Sequence, residues 1–136
     1  MSLSFCKWVD ISLYHDRCLE FNNQICRLKS KYKTYEFSKN NSHYIGKIGE
    51  CLFSHFTGLP VDWGYYTLGD KGYDFEFKDA LGQIQYIDVK TTCFWKYPEL
   101  KEFTGKKSYS DFYILVALDP NLLKARLVGY ATQDLC

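Results

Sequence analysis

The sequence predicts a mixed α/β domain, α+β in the order of its elements, in which a central mixed β-sheet is flanked by helices. Three observations predict this class: apolar residues at helical spacing in the first half, two strand-like runs around a short glycine turn, and two further strand-like runs near the end. The 136 residues suit one domain. We therefore expect a single domain over residues 1–136, with an N-terminal helical extension over about residues 1–40.

The first helix is predicted over roughly residues 12–30. Charged and amide side chains occupy one of its faces, as is typical of a helix that packs on one side and meets water on the other. The apolar face recurs at alternating spacings of four and three residues. Its members are Tyr14, Cys18, Phe21, Ile25 and Leu28.

A second helix is predicted from about residue 43 to 57, with Ser42 as its N-terminal cap. It contains Gly46 and Gly49, and each glycine costs a helix ~1 kcal/mol relative to alanine. We expect the close approach of another backbone or of a ligand to compensate for this cost. Glu50 directly follows the second glycine.

A β-hairpin is predicted next, with strands over Tyr73–Lys78 and Gln83–Lys90. Its loop is predicted to be Ala80-Leu81-Gly82, with Gly82 in the left-handed conformation that closes a three-residue turn. Asp79 then pairs with the first residue of the second strand, and this choice determines the register of the whole hairpin.

This register places two acidic side chains directly opposite each other. Asp74 faces Asp88, and Lys90 points to the same side because it is two residues further along the strand. The other face is apolar and is predicted to face the core. Its residues are Tyr73, Phe75, Phe77, Ile87 and Val89.

Two more strands complete the predicted sheet. Asp111–Leu118 is a nearly continuous apolar run, which is typical of a strand that is buried on both faces. A turn at Asp119-Pro120-Asn121 separates it from a last strand over Lys124–Ala131.

The charge and cysteine content exclude several classes of protein. With 17 basic and 16 acidic residues, the chain has neither a histone-like basic arm nor an acidic tail. No run approaches the ~18 apolar residues of a membrane span, and charges come too early for a secretory signal. The six cysteines form no Cys-x-x-Cys pair. We therefore expect reduced, mostly buried thiols in a cytoplasmic protein that does not enter the membrane.

The opposed aspartates are the strongest candidate for chemistry. Like charges in this position repel, and Lys90 relieves only part of the repulsion. A divalent cation would relieve more, and a few carboxylates together with water and phosphate oxygens are the ligands that suit Mg²⁺. A solvated ion-pair cluster on a hairpin would also explain these residues. The residue pattern by itself leaves both interpretations open.

The segment GYDFEF…QYIDVKTT resembles the PD-(D/E)XK nuclease superfamily. In that family an acidic residue begins one strand, an acidic-x-Lys triplet ends the next, and a Glu on a preceding helix often completes the set. The matching positions here are Asp74, the triplet Asp88-Val89-Lys90, and Glu50 within IGKIGE. The resemblance covers roughly residues 43–131. The chain departs from the family in having Gly-Tyr before Asp74, where a proline often stands.

This resemblance implies a restriction-endonuclease-like fold and metal-dependent hydrolysis of phosphodiester bonds. It implies that Asp74 and Asp88 bind Mg²⁺ or Mn²⁺, aided by the Val89 carbonyl, and that Glu50 contacts the metal or its water. Lys90 is implied to position the nucleophilic water.

Residues outside this set are weaker candidates for contacts to DNA. The segment 94–109 interleaves aromatic with basic residues, which suits phosphates and stacked bases. The candidate contacts are Lys96, Lys106, Lys107 and Thr91. An aromatic loop packed over the sheet would explain this segment equally well. Glu76 lies two residues after Asp74 and is predicted to point to the same face of the strand. It is either a ligand of a second metal or an ordinary surface acid.

We expect from these observations a Mg²⁺-dependent DNA endonuclease of the restriction, homing, resolvase, or phage and mobile-element type. The alternative is an inactive protein of nuclease fold that binds DNA or another protein. The small size, without a separate recognition domain, predicts a homodimer or higher homo-oligomer.

Overall fold

The computed structural model describes residues 7–30, 42–64, 73–93 and 110–132. The elements in chain order are β1 (Val9–Asp10), α1 (Ser12–Ser30), α2 (Ser42–Thr57), β2 (Phe75–Lys78), β3 (Ile84–Thr92), β4 (Phe112–Asp119) and β5 (Lys124–Thr132). The strands form one sheet in the order β1-β5-β4-β3-β2. Strands β3 and β4 are parallel, and the other neighbours are antiparallel. The predicted mixed α/β class with a mixed sheet is confirmed.

Both predicted helices are present, and they pack against each other. Cys18 of α1 lies in one apolar cluster with Ile48 and Leu52 of α2, and all three side chains are fully buried. The Tyr44 N–H, in the first turn of α2, donates to Oδ1 of buried Asn22 at 3.0 Å. The first turn of α2 is therefore capped from α1, whereas the predicted cap, Ser42, lies within the helix.

The N-terminal segment belongs to the core of the domain. Strand β1 pairs with the start of β5, and the Ile11 N–H donates to the Leu123 carbonyl at 2.9 Å. Ile11 itself is fully buried. The described part of the predicted N-terminal extension is thus joined to both the sheet and α2. A strand of only two residues leaves no periodic pattern, so the sequence did not indicate β1.

The hairpin has the predicted register. Phe75 pairs with Ile87 and Lys78 with Ile84, which is the alignment that follows from a three-residue loop. Gly82 has a φ of 80°, and the Asp79 N–H donates to the Gln83 carbonyl at 2.9 Å. The Asp79 carboxylate also accepts backbone N–H groups from within the loop, which stabilises the turn.

Helix α2 covers one face of the sheet, and the core lies between them. Its apolar side packs against Phe75, Ile87 and Val89 of the hairpin and against Val116 and Leu118 of β4. Strand β4 is buried along most of its length, as its continuous apolar run predicts. No helix within the described ranges is long and apolar enough to cross a membrane.

The described cysteines are free thiols, as predicted. Cys18, Cys26 and Cys51 are buried and Cys93 is half-buried. Cys6 and Cys136 lie outside the described residues.

Candidate functional site

The candidate site begins at Asp74, which lies at a backbone bend directly before β2. Its N–H donates to the Ile87 carbonyl at 2.9 Å, and its Oδ2 accepts the Val89 N–H at 2.7 Å. The carboxylate thus takes the place of a backbone carbonyl in the pairing with β3. Because Asp74 is held at both its amide and its carboxylate, the hairpin backbone determines where this acid lies.

The bend at Asp74 also interrupts the alternation of side chains. Tyr73 was predicted to face the core, but its ring packs 4.4 Å from the ring of Tyr86, measured between centroids. Tyr86 pairs with Glu76 on the face opposite the core residues Phe75 and Ile87. The prediction for Tyr73 was wrong because strict alternation requires a continuous strand, and β2 begins only after Asp74.

Three carboxylates meet around Asp74. Burial, the neighbouring charge of Glu50, and both the hydrogen bond and the charge of Asp88 raise the pKa of Asp74 to about 9. The hydrogen bond from Val89 acts in the opposite direction and is outweighed. Asp74 therefore holds a proton at neutral pH, because it is removed from water and because two further carboxylates lie close to it.

Lys90 provides a cation beside this group. Its Nζ lies 2.8 Å from Oδ2 of Asp88, and the side chains are 33% and 18% exposed respectively. The shared direction of Asp88 and Lys90 follows from their spacing on β3 and matches the prediction. The ammonium group is accessible enough to meet a ligand from solvent.

Glu50 reaches the site from α2 and is buried. Its Oε1 lies 3.0 Å from Nζ of Lys47, one turn earlier on the same helix. Lys47 is also buried, and its Nζ donates to the Asp62 carbonyl and lies 4.6 Å from the centre of the Phe21 ring. Sequence reasoning missed Lys47. The available signal was its position three residues before Glu50, where an oppositely charged pair can form on one helix face.

Gly49 explains how Glu50 comes so close to β3. A Cβ added at Gly49 would lie 1.8 Å from Oγ1 and 3.2 Å from Cβ of Thr91. The expected neighbour was another backbone or a ligand, whereas the atoms found closest to this glycine belong to the Thr91 side chain of β3. At Gly46 an added Cβ would meet nothing within 4 Å, so no described chain segment approaches this glycine closely.

The Thr91 hydroxyl faces α2 and is buried. Its Oγ1 makes no hydrogen bond within the described part of the chain. This placement does not favour the predicted contact of Thr91 with DNA. The other candidate contacts, Lys96, Lys106 and Lys107, lie outside the described residues. Glu76 is exposed, and the Tyr73 hydroxyl donates to its Oε2 at 3.5 Å.

The structure thus brings together the four predicted residues Glu50, Asp74, Asp88 and Lys90. Within residues 7–30, 42–64, 73–93 and 110–132, no group of three or more His, Cys, Asp or Glu side chains is placed so that it could hold a metal ion. The side chains of Asp74 and Asp88 are hydrogen-bonded to each other, with Asp74 carrying the proton. A cation would have to replace that proton, and hard oxygen ligands of this kind suit Mg²⁺ or Mn²⁺.

Comparisons with protein-family models, with curated proteins and with solved structures find no match to this chain.

Proposed function

We propose that this chain is a Mg²⁺- or Mn²⁺-dependent DNA endonuclease of the PD-(D/E)XK type, with a restriction-endonuclease-like arrangement of its sheet. The observation that carries the proposal is the grouping of Glu50, Asp74 and Asp88, with Lys90 beside Asp88. These residues come from helix α2, from the bend before β2 and from strand β3. Sequence order alone did not require them to meet.

Carboxylate and carbonyl oxygens are the kind of donor that suits the proposed cation. Asp74 and Asp88 would hold it, Glu50 would contact it or its water, and the Val89 carbonyl remains the predicted fourth contact. When bound, the cation supplies Lewis-acid stabilisation of the negative charge that develops on the phosphate. A cation in place of the Asp74 proton would offset the repulsion from Glu50 and Asp88 that, together with burial, raises the pKa of this group.

The side chains around the cation have separate roles in this proposal. The Val89 N–H orients the Asp74 carboxylate, and Asp88 holds the Lys90 ammonium group at 2.8 Å. Lys90 can then donate to the attacking water or to a phosphate oxygen as charge accumulates in the transition state. Because donors and carboxylates are held before the substrate arrives, little reorganisation is needed during the reaction.

Plasmid cleavage in the presence of Mg²⁺ tests this proposal. We expect Asp88→Ala and Lys90→Ala to lower the cleavage rate about 100-fold or more, and EDTA to abolish cleavage by the wild type. Lys78→Ala changes an exposed lysine of the same hairpin and is the matched control, for which we expect the wild-type rate. Cleavage by Asp88→Ala at the wild-type rate would contradict the proposal.

A second candidate is a nuclease-fold module that binds DNA or a protein without cutting. This second candidate is favoured by the absence, among the described residues, of three His, Cys, Asp or Glu side chains placed to hold a metal ion. Retardation of DNA in gels at several salt concentrations, together with no cleavage by clean wild-type protein on varied DNA substrates, would support this candidate. Binding to DNA should weaken steeply as the salt concentration rises.

We further propose that the protein acts in the cytoplasm as a homodimer or higher homo-oligomer with DNA as its partner. The homo-oligomer is supported by the outer edge of β5, which pairs with β1 only at Lys124 and Ala125. Beyond these residues no described strand covers this edge, and the exposed Tyr130 lies on it. Sedimentation of the full chain at several concentrations would distinguish a dimer from a monomer.

A further inference from the structure

Lys47 is a buried cation with an unusually complete set of partners. Its Nζ lies 3.0 Å from Oε1 of Glu50 and donates to the Asp62 carbonyl. Two aromatic rings face it as well, with Nζ 4.6 Å from the centre of Phe21 and 5.8 Å from that of Trp63. A buried ammonium group is tolerated only where charge and hydrogen-bond partners replace water. These contacts hold Lys47 in one place.

The surrounding elements explain why this cation is fixed. Phe21 belongs to α1, Lys47 to α2, and Asp62 and Trp63 to the segment that follows α2. Phe21 and Trp63 also pack edge to face, with ring centres 6.0 Å apart. Three parts of the chain therefore supply the groups that surround the ammonium group beside Glu50.

Two lysines nearly balance the negative charge of the three carboxylates Glu50, Asp74 and Asp88. Of the three carboxylates, Glu50 is paired with Lys47 and Asp88 with Lys90. With every group ionised, this set of five carries one net negative charge. One divalent cation turns that into one net positive charge, and a second cation would raise it to three. Arg17, stacked 4.2 Å above Trp63, adds further positive charge near Lys47.

We propose that Lys47 is a positioning residue that serves as a permanent second cation, so that the site binds one divalent cation and not two. The inference rests on the proposed metal-dependent function. In this proposal Lys47 forms an ion pair with Glu50. Asp74 and Asp88 are then the carboxylates that hold the divalent cation. Glu76, another acid of this hairpin, is exposed and is not required as a ligand.

The stoichiometry of Mn²⁺ binding to the full chain tests this inference without any cleavage assay. We expect one Mn²⁺ per chain by titration calorimetry and by electron paramagnetic resonance of the unbound ion. Two bound Mn²⁺ per chain would overturn this inference and leave the nuclease proposal standing. No bound Mn²⁺ would overturn both.

A double-mutant cycle tests whether Lys47 acts through Glu50. In Lys47→Met the Glu50 carboxylate loses its internal partner, and we expect Mn²⁺ affinity to rise about tenfold or more. In the Glu50→Gln background the same substitution should change the affinity little. An equal effect in both backgrounds would overturn the inference.

Lys78→Met is the matched control, and circular dichroism verifies folding. If Lys47→Met does not fold, the wild-type stoichiometry still decides.

Discussion

At the scale of single residues, Asp74 is the side chain on which the candidate site depends. Its carboxylate is held by the Val89 N–H and crowded by Glu50 and Asp88, which with burial raise its pKa from 3.8 to about 9. Perturbation of this size by burial and specific neighbouring charges is characteristic of functional sites. Here the perturbed group coincides with the position that the sequence motif singled out.

The raised pKa of Asp74 predicts a pH dependence of stability. Between pH 3.8 and about 9 the folded chain keeps a proton that the unfolded chain releases. The free energy of unfolding contributed by this group is therefore highest at low pH and is lost as the pH rises through this range. Asp74→Asn cannot titrate and still offers an oxygen to the Val89 N–H.

Urea denaturation in EDTA measures this effect. We expect the stability of the wild type relative to Asp74→Asn to fall between pH 5 and pH 8. We also expect Mn²⁺ to stabilise the wild type at pH 8 and to have little effect on the variant. A difference between the two proteins that is constant with pH would show that Asp74 has an ordinary pKa.

At the scale of the elements, the contact between α2 and β3 determines whether Glu50 reaches Asp74. This contact depends on Gly49, because the Thr91 side chain occupies the space that a Cβ would need. The two helical glycines are therefore not equivalent, although they look alike in the sequence. Gly49 permits the packing, whereas Gly46 only lowers helix stability.

The glycine pair predicts opposite effects of the same substitution. We expect Gly49→Ala to lower the free energy of unfolding by ~1–3 kcal/mol through overpacking. Its matched control, Gly46→Ala, should raise it by ~0.5–1 kcal/mol. Thermal and urea unfolding measure both. Adding Thr91→Ala to Gly49→Ala should recover part of the loss, and equal effects at the two glycines would contradict this account of the packing.

At the scale of the whole molecule, we expect the described N-terminal segment and the sheet to unfold as one cooperative unit. Ile11 connects them, since its backbone bonds to Leu123 and its side chain is fully buried. We expect Ile11→Ala to lower the free energy of unfolding by ~2–5 kcal/mol, as is typical of a large buried aliphatic side chain.

Leu13→Ala is the matched control for Ile11→Ala, because Leu13 is 85% exposed. A change within about 0.5 kcal/mol is expected for such a surface position. Circular dichroism and fluorescence during urea unfolding should give coincident transitions in the wild type. A small effect of Ile11→Ala, or separate transitions, would show that the N-terminal segment folds independently of the sheet.

Short-range chemistry explains what the sequence by itself determined. Helix positions follow from apolar periodicity, and the hairpin register follows from the three-residue loop that ends at Gly82. That register is sufficient to place Asp74 near Asp88 and to direct Lys90 to the side of Asp88. Each of these features depends on residues close together in the chain, so local rules suffice.

Only the tertiary structure decided which distant groups support the site. The cap of α2 by Asn22, the bend that turns Tyr73 away from the core, and the pairing of β1 with β5 have no periodic signal. The burial of Lys47 against Glu50, Asp62 and two aromatic rings likewise depends on three chain segments that meet in space. Because this charge pair is removed from water, the interaction between Lys47 and Glu50 is stronger than at the surface. Loss of either partner would leave a buried unpaired charge, which is destabilising.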